Sequence, residues 1–263
     1  MGRLRVASAL FMIRLGKLIQ VLAAAVMRTD DLIEFSRRTY AHPTCVADWS
    51  RPDLVDDGLS PEELALLERS PVQNGRLLLL GLGGGREAIP LARRGFLVTG
   101  VDFVAGMVGS AKASAARHGV PLEGLVQEIS QLDVPHGAYD LAWLSARMYS
   151  CIPTWRRRVL MLRRIARALR PGGCFICQFD WAPGQGLPAN VLRLYRAFAW
   201  LTRGHLHFEP GDTLWGNREF IHRFTDETGL RREFTDGGFE VLHLDIPAGK
   251  MFGGAVLRKR DGL

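Results

Sequence analysis

Between residues 77 and 179, short apolar runs alternate with segments of helical periodicity, and this alternation constrains the fold more than any other feature of the sequence. Apolar runs of four to six residues bounded by glycines or polar residues are typical of buried parallel strands. The helical segments between them serve as right-handed crossovers. We therefore predict an α/β fold with a doubly wound, mostly parallel sheet, whose first five strands lie at residues 77–80, 96–101, 122–127, 139–144 and 174–179.

The alternation stops after residue 180. Residues 181–221 contain one amphipathic segment, at 190–202, and a loop rich in aromatic residues and histidine, so we interpret them as a cap insertion. A further helix is predicted at residues 225–234. Two apolar runs, at residues 239–244 and 252–257, complete a seven-stranded sheet with a closing antiparallel strand. The domain containing this sheet is predicted to span residues 74–263.

Residues 1–73 are predicted to form an N-terminal helical extension that acts as a lid, with a Pro- and Asp-rich loop at residues 42–58. Residues 6–27 are mostly apolar, but Arg14 and Lys17 interrupt them. A membrane-spanning helix needs about 20 apolar residues, and a signal peptide needs a charge-free centre. An amphipathic helix that packs on its own domain is therefore preferred, and peripheral contact with a membrane surface is the alternative.

The net charge of +7 would suit an anionic partner, but arginine outnumbers lysine 30 to 4, a bias that codon preference produces without a physical cause. We therefore do not expect a nucleic-acid partner. Cys174 and Cys177 lie three residues apart in a predicted strand, where their side chains point to opposite faces. They are interpreted as core residues rather than as a metal or redox pair, and a reducing cytoplasmic location is expected.

A glycine-rich segment, residues 80–87, follows the first strand and precedes a helix. Glycine allows a tight turn and close approach of a ligand to the backbone, and the helix that follows presents the positive end of its dipole. The dinucleotide fingerprint has glycines at its first, third and sixth positions. Counted from Gly81, the sixth position is Arg86, which disfavours a nicotinamide-dependent oxidoreductase. Glycines instead occupy the first, third and fifth positions.

This spacing resembles the nucleoside-binding loop of class I S-adenosylmethionine-dependent methyltransferases. Asp102, which ends the second strand 21 residues after Gly81, has a carboxylate that can accept hydrogen bonds from both hydroxyls of a ribose. The resemblance places Met107, Glu128 and Ile129 beside an adenine. It implies S-adenosylmethionine as the cofactor and the cofactor-binding residues Gly81, Gly83, Gly85, Asp102, Phe103, Met107, Glu128, Ile129, Leu144 and Ser145.

The resemblance covers about residues 74–258, including the turn at residues 169–173 and the segment at 224–241. It has one clear departure. The family usually has an acidic residue two positions before the first glycine, and Leu79 stands there. Either another residue replaces the lost carboxylate or cofactor affinity is reduced. A non-catalytic cofactor-binding or scaffold protein of the same fold is therefore an alternative to an enzyme.

The resemblance implies methyl transfer from S-adenosylmethionine to an acceptor, which we expect to be a small molecule. Aromatic residues of the cap insertion and Tyr149 suit an aromatic acceptor, but they would equally form the core of the cap: Trp200, Phe208, Trp215 and Phe220. A nucleic-acid methyltransferase is a further alternative. The Asn/Asp-Pro-Pro-aromatic motif of amino-group methylation is absent after the fourth strand, however, where residues 145–148 read Ser-Ala-Arg-Met.

A base is needed only if the acceptor must lose a proton, because the cofactor's methyl group is already activated. The weak candidates are Tyr149, His205, His207 and His222. No metal site is predicted, since His205, His207 and Glu209 lack a further partner at ligand spacing. The arginines of residues 156–170 are interpreted as a solvated helix face. An arginine or tyrosine of the lid is expected to contact the cofactor, the candidates being Arg37, Arg38 and Tyr40.

Overall fold

The computed structural model describes residues 2–246, 249 and 251–261. Seven strands form one sheet in the order β3-β2-β1-β4-β5-β9-β8, in which β9 alone is antiparallel to its neighbours. A separate hairpin contains β6 and β7. The predicted fold class is confirmed. The strands are β1 Gly75–Leu80, β2 Phe96–Asp102, β3 Glu123–Val126, β4 Tyr139–Leu144, β5 Leu169–Asp180, β6 Asp212–Trp215, β7 Glu219–His222, β8 Phe239–Asp245 and β9 Phe252–Lys259.

Helices cover both faces of the sheet, and five of them precede the first strand. The helices are α1 Gly2–Val26, α2 Thr29–Tyr40, α3 Pro43–Trp49, α4 Pro52–Asp56, α5 Pro61–Arg69, α6 Ala88–Arg93, α7 Ala105–Arg117, α8 Trp155–Ala168, α9 Ala189–Thr202 and α10 Glu227–Asp236. The prediction of a loop at residues 42–58 is wrong. Pro43 and Pro52 each occupy the first position of a short helix, where a missing N–H costs nothing.

The sheet is buried on both faces, as a crossover topology requires. One apolar cluster contains Cys177 and the other contains Cys174, so the two thiols lie on opposite sides of β5. The interpretation of this pair as core residues is confirmed. Strand β1 lies next to the central strand β4, and its residues 77–80 are completely buried.

The cap insertion and the N-terminal extension share a third apolar cluster, formed by the end of α1, α2, α9 and the β6–β7 hairpin. Phe208 and Phe220 are fully buried in it, whereas Trp200 is 74% exposed on α9. Phe208 and Phe220 thus fill the cap's own core, the alternative left open above, and Trp200 faces solvent; acceptor contact stays a prediction for Trp215, which is outside this core. The loop predicted around residues 203–221 is also wrong in part, since it contains this hairpin.

Helix α1 differs from its prediction. Four consecutive apolar residues, at positions 10–13, are all exposed, and successive residues point 100° apart on a helix. The helix is therefore apolar all round rather than amphipathic. Packing on the protein is confirmed only for its last turns, where Ala24 and Ala25 are completely buried. By length and composition alone, the segment Arg3–Val26 is long and apolar enough to cross a membrane, since an 18-residue window within it has a mean hydropathy of 1.8.

The arginine-rich face of α8 is not uniformly solvated. Arg158 is 2% exposed, and its guanidinium donates to Glu233 (Nε to Oε1, 2.8 Å) and Glu209 (Nη2 to Oε2, 2.8 Å). Glu233 also accepts from the Tyr149 hydroxyl. The predicted solvated face is therefore wrong at Arg158, which neutralises two acidic side chains of distant segments. A buried pair of this kind needs both partners, because one charge left alone is costly to keep from water.

We expect Arg158→Ala to reduce the free energy of unfolding by about 3–5 kcal/mol, because it leaves the Glu233 and Glu209 carboxylates without their cation. Urea titration followed by circular dichroism measures the change. Arg156→Ala is the matched control, because Arg156 is exposed on the same helical turn; a change within about 0.5 kcal/mol is expected. Similar losses in the two variants would contradict the assigned role of Arg158.

Candidate functional site

A cavity of about 250 Å³ lies at the carboxyl ends of β1, β2 and β4. Strand order reverses at β1, since β2 lies on one side and β4 on the other, and such a reversal opens a crevice for ligands in α/β sheets. The N-terminal extension and the β6–β7 hairpin close this crevice from outside. Their lining residues are Ile33, Ser36, Tyr40, Trp49, Trp215, Arg218, Glu219 and Ile221.

Most of the predicted cofactor-binding residues line this one cavity: Gly81, Gly83, Asp102, Phe103, Met107, Glu128, Ile129 and Ser145. Two do not. Gly85 packs against Ala111, and Leu144 is buried within β4. The ligand contacts of all ten residues stay predictions, but the tertiary structure brings eight of them to the same surface.

The glycine loop turns through left-handed backbone conformations, with φ of +81° at Gly81, +51° at Gly83 and +100° at Gly85. A Cβ added at Gly83 would meet no atom within 4 Å, so this backbone is open to a ligand. A Cβ at Gly84 would lie 2.2 Å from the carbonyl oxygen of Trp49. The absence of a side chain thus leaves room for a ligand at Gly83 and room for the N-terminal extension at Gly84.

Asp102 holds the glycine loop in place. Its Oδ2 accepts from the Gly83 N–H at 2.9 Å, and its Oδ1 accepts from the Val104 N–H at 2.9 Å. Burial raises the pKa of this carboxyl, while the backbone donors oppose the rise. Each carboxylate oxygen can accept a second hydrogen bond, so the group retains capacity for ribose hydroxyls.

Glu128 is fixed in a similar way at the next strand end. Its two oxygens accept from the backbone N–H and the hydroxyl of Ser130, and Arg157 lies 3.1 Å from Oε2. The Arg157 guanidinium also reaches Asp30 of α2, at 2.6 Å. The adenine side of the predicted site is therefore connected to the N-terminal extension by an ionic bridge.

The predicted lid contributes to the site through α2. The Tyr40 side chain lines the cavity, and the Arg37 guanidinium lies over the Phe103 ring, 5.6 Å from its centroid. Arg38, by contrast, has a side chain that is 80% exposed. Contact of the lid with a bound cofactor stays a prediction, but Tyr40 and Arg37 are placed where it requires them.

Glu219, the first residue of β7, also lines the cavity, and no sequence motif marked it as a site residue. The Cys151 thiol donates to its Oε2 at 3.3 Å, and the Tyr40 hydroxyl also hydrogen-bonds to the carboxylate. Burial raises the pKa values of Cys151 and Tyr40, so both donors remain protonated. Burial raises the pKa of Glu219 as well, and of these three groups the carboxyl is the one suited to accept a proton.

A second carboxylate, Asp180 at the end of β5, lies near Glu219 but has different partners. The Arg147 guanidinium forms an ion pair with it at 2.9 Å, and its backbone N–H donates to the Ser150 hydroxyl. Within the described residues Glu219 has no ion pair of this kind. Of the two acidic groups, Glu219 is therefore the better proton acceptor for a ligand in the cavity.

The four predicted base candidates lie outside the residues that line the cavity: Tyr149, His205, His207 and His222. His205 and His222 both hydrogen-bond to Asp212, at 3.1 and 2.8 Å. Although burial alone would raise it, these bonds lower the pKa of Asp212 to about 2. His205 and His222 thus build the interior of the cap, whereas His207 is exposed on its surface.

Glu209, Asp212 and His222 offer ligand atoms within 4.8 Å of one another, a spacing that a metal ion could use. The Arg158 guanidinium already lies 2.8 Å from Glu209, however, and supplies positive charge to this group. We therefore assign these residues a structural role.

Known proteins show the same combination of domain and fold. Residues 77–173 match a family model described as a methyltransferase domain. A ubiquinone biosynthesis O-methyltransferase of Paramagnetospirillum magneticum is 37% identical over 134 residues, which are 51% of this chain and 52% of that protein. The chain thus spans about half the length of this relative.

Solved structures extend the likeness over most of the chain. An S-adenosylmethionine-dependent methyltransferase from Methanosarcina mazei has a TM-score of 0.58 and 22% identity, covering 77% of this chain and 99% of its own. The 1,6-didemethyltoxoflavin-N1-methyltransferase of Burkholderia thailandensis, with bound S-adenosylhomocysteine, has a TM-score of 0.58 and 19% identity, covering 91% and 89%. Residues 77–173 thus contain a methyltransferase domain, and the fold is similar to that of S-adenosylmethionine-dependent methyltransferases, as the glycine spacing predicts.

Proposed function

We propose that the protein transfers a methyl group from S-adenosylmethionine to a hydroxyl group of a small aromatic molecule. The observation that carries the proposal is that one cavity is lined both by the glycine loop and Asp102 and by Tyr40 and Glu219. Methyl transfer is an in-line displacement, so a protein accelerates it mainly by aligning donor and acceptor and excluding water. A cavity closed by α2 and the hairpin suits that task.

The residues present fit the cofactor. Gly83 leaves its backbone open, Asp102 retains acceptor capacity for a ribose, and Phe103, Met107 and Ile129 offer apolar contact to a flat base. When bound, S-adenosylmethionine supplies a methyl group that is already activated by its sulfonium. The protein's own task at this end is therefore binding and orientation.

The acceptor end favours a flat molecule with an acidic hydroxyl. Tyr40, Trp49 and Trp215 provide aromatic walls, and Glu219 is placed to accept a proton from a hydroxyl. The relative from Paramagnetospirillum magneticum is named as an O-methyltransferase of ubiquinone biosynthesis, which supports an oxygen acceptor here. A small enclosed cavity suits such a molecule better than a polynucleotide, in spite of the net positive charge.

Asp102→Asn is expected to weaken S-adenosylhomocysteine binding by about 1–3 kcal/mol, because charge-assisted hydrogen bonds are lost. Isothermal titration calorimetry measures the affinity, and circular dichroism checks that the fold is retained. NAD is the control ligand and should not bind. Binding of NAD without binding of S-adenosylhomocysteine would contradict the proposed cofactor.

Methyl transfer itself is tested with S-adenosylmethionine labelled in its methyl group and catechol, phenol and an aliphatic amine as acceptors. We expect label on a phenolic acceptor and a kcat lowered about 10²- to 10⁴-fold by Glu219→Gln, since a proton acceptor is lost. The loss should shrink as the pH rises and the acceptor ionises unaided. Glu240→Gln, on exposed β8, is the control. Cofactor binding without transfer to any of these acceptors would favour a non-catalytic protein.

We further propose that α1 attaches the protein to an anionic membrane. Its exposed large apolar side chains extend from Leu4 to Ile19, and its charged residues with described side chains are the cations Arg3, Arg5 and Arg14. Apolar burial in lipid and attraction to anionic headgroups would act together on such a helix.

The full chain should co-sediment with phosphatidylglycerol-containing vesicles, and deletion of residues 1–20 should abolish this. The deletion retains the last turns of α1, including Ala24 and Ala25, so the cap core stays intact. Affinity for S-adenosylhomocysteine, measured in parallel, should not change. Equal sedimentation of the truncated and full-length proteins would show that α1 is not the attachment site.

A further inference from the structure

Glu63, Arg86 and Glu87 form a buried charged cluster beside the glycine loop. Arg86 Nη2 lies 2.7 Å from Glu63 Oε1 and 2.5 Å from Glu87 Oε1, and its Nη1 donates to Glu63 Oε2 at 2.8 Å. The two acidic side chains are only 2% and 4% exposed. With both carboxyls ionised, the three side chains carry one excess negative charge.

The two carboxylates of this cluster are not equivalent. Glu63 forms a two-point pair with Arg86, and its Oε2 also accepts from the Ser60 N–H at 2.7 Å. In Glu87, by contrast, a single oxygen, Oε1, accepts hydrogen bonds from both the Arg86 guanidinium and the Ser145 hydroxyl. The second oxygen of Glu87 is therefore the one that a further donor can reach.

Only one of these carboxylates faces the candidate site. Glu87 and Arg86 line the cavity together with Gly81, Gly83 and Ser145, whereas Glu63 is not among its lining residues. The excess negative charge is thus presented to the ligand. A buried carboxylate with incomplete compensation gains more from a ligand cation than an exposed one does, because little water competes for it.

Burial raises the pKa of Glu87, and Glu63 adds to this effect, whereas Arg86 and Ser145 oppose it. A cation that hydrogen-bonds to the carboxylate would favour its ionised form further. The site therefore favours a compact cationic donor over a neutral group at this point.

From this geometry we infer that Glu87 binds the ammonium group of the cofactor's amino-acid moiety, an inference that rests on the proposed function. S-Adenosylmethionine carries two cations, but only its ammonium can donate hydrogen bonds to a carboxylate. The position of the missing family carboxylate, Leu79, is completely buried in the core beneath the sheet. Glu87, at the far end of the same loop, supplies negative charge that Leu79 cannot.

Two ligands that differ in the amino-acid moiety test this assignment. S-Adenosylhomocysteine has the ammonium, whereas 5′-methylthioadenosine has the same nucleoside without it. In calorimetric titrations of the full chain, Glu87→Gln should weaken S-adenosylhomocysteine binding about 10- to 100-fold, as loss of a charge-assisted hydrogen bond predicts. The affinity for 5′-methylthioadenosine should be unchanged.

Glu68→Gln is the matched control, because Glu68 is an exposed carboxylate of α5 that does not line the cavity. It should leave the ratio of the two affinities close to that of the unsubstituted protein. Equal weakening of both ligands by Glu87→Gln, or no weakening of either, would overturn the inference. Failure of the unsubstituted protein to bind either ligand would instead contradict the proposed function.

Discussion

The ion pair between Arg86 and Glu63 connects the glycine loop to the N-terminal extension, and the shape of the candidate site depends on it. Arg86 follows the loop directly, whereas Glu63 lies on α5 before the first strand. Close contact of the Trp49 carbonyl with Gly84 adds a steric reason for glycine at this point. The loop is thus held from inside by Asp102 and from outside by the extension, which leaves Gly83 as its open face.

The opposite wall of the cavity depends on a buried polar network in the cap. Arg158 neutralises Glu209 and Glu233, and Asp212 accepts from His205 and His222. Asp212 and His222 face each other across the β6–β7 hairpin. These interactions fix the hairpin, and the first residue of β7 is Glu219. Charged groups remote from the ligand therefore position the one that we propose to accept its proton.

Helix α1 differs from the rest of the chain in the exposure of its large apolar side chains. Elsewhere, large apolar side chains are mostly buried in the three clusters around the sheet and cap, but along α1 they remain in contact with solvent until residue 20. Exposing a continuous apolar surface of this length to water is unfavourable. A lipid phase removes that cost, which supports the proposed attachment of α1 to a membrane.

Sequence by itself determined the sheet, the crossovers and the residues of the glycine loop, because each depends on short-range patterns: an apolar run, a glycine at a required turn, a carboxylate at a strand end. Eight of the cofactor-binding candidates chosen from the sequence line one cavity, because parallel strands present their carboxyl ends at the same edge of the sheet. Only the tertiary structure decided that Tyr40, Cys151 and Glu219 meet, that Arg158 is buried, and that Glu87 lines the cavity while Glu63 does not. Those facts depend on contacts between segments distant in the chain, and no local pattern specifies which charged side chain finds its partner across the fold.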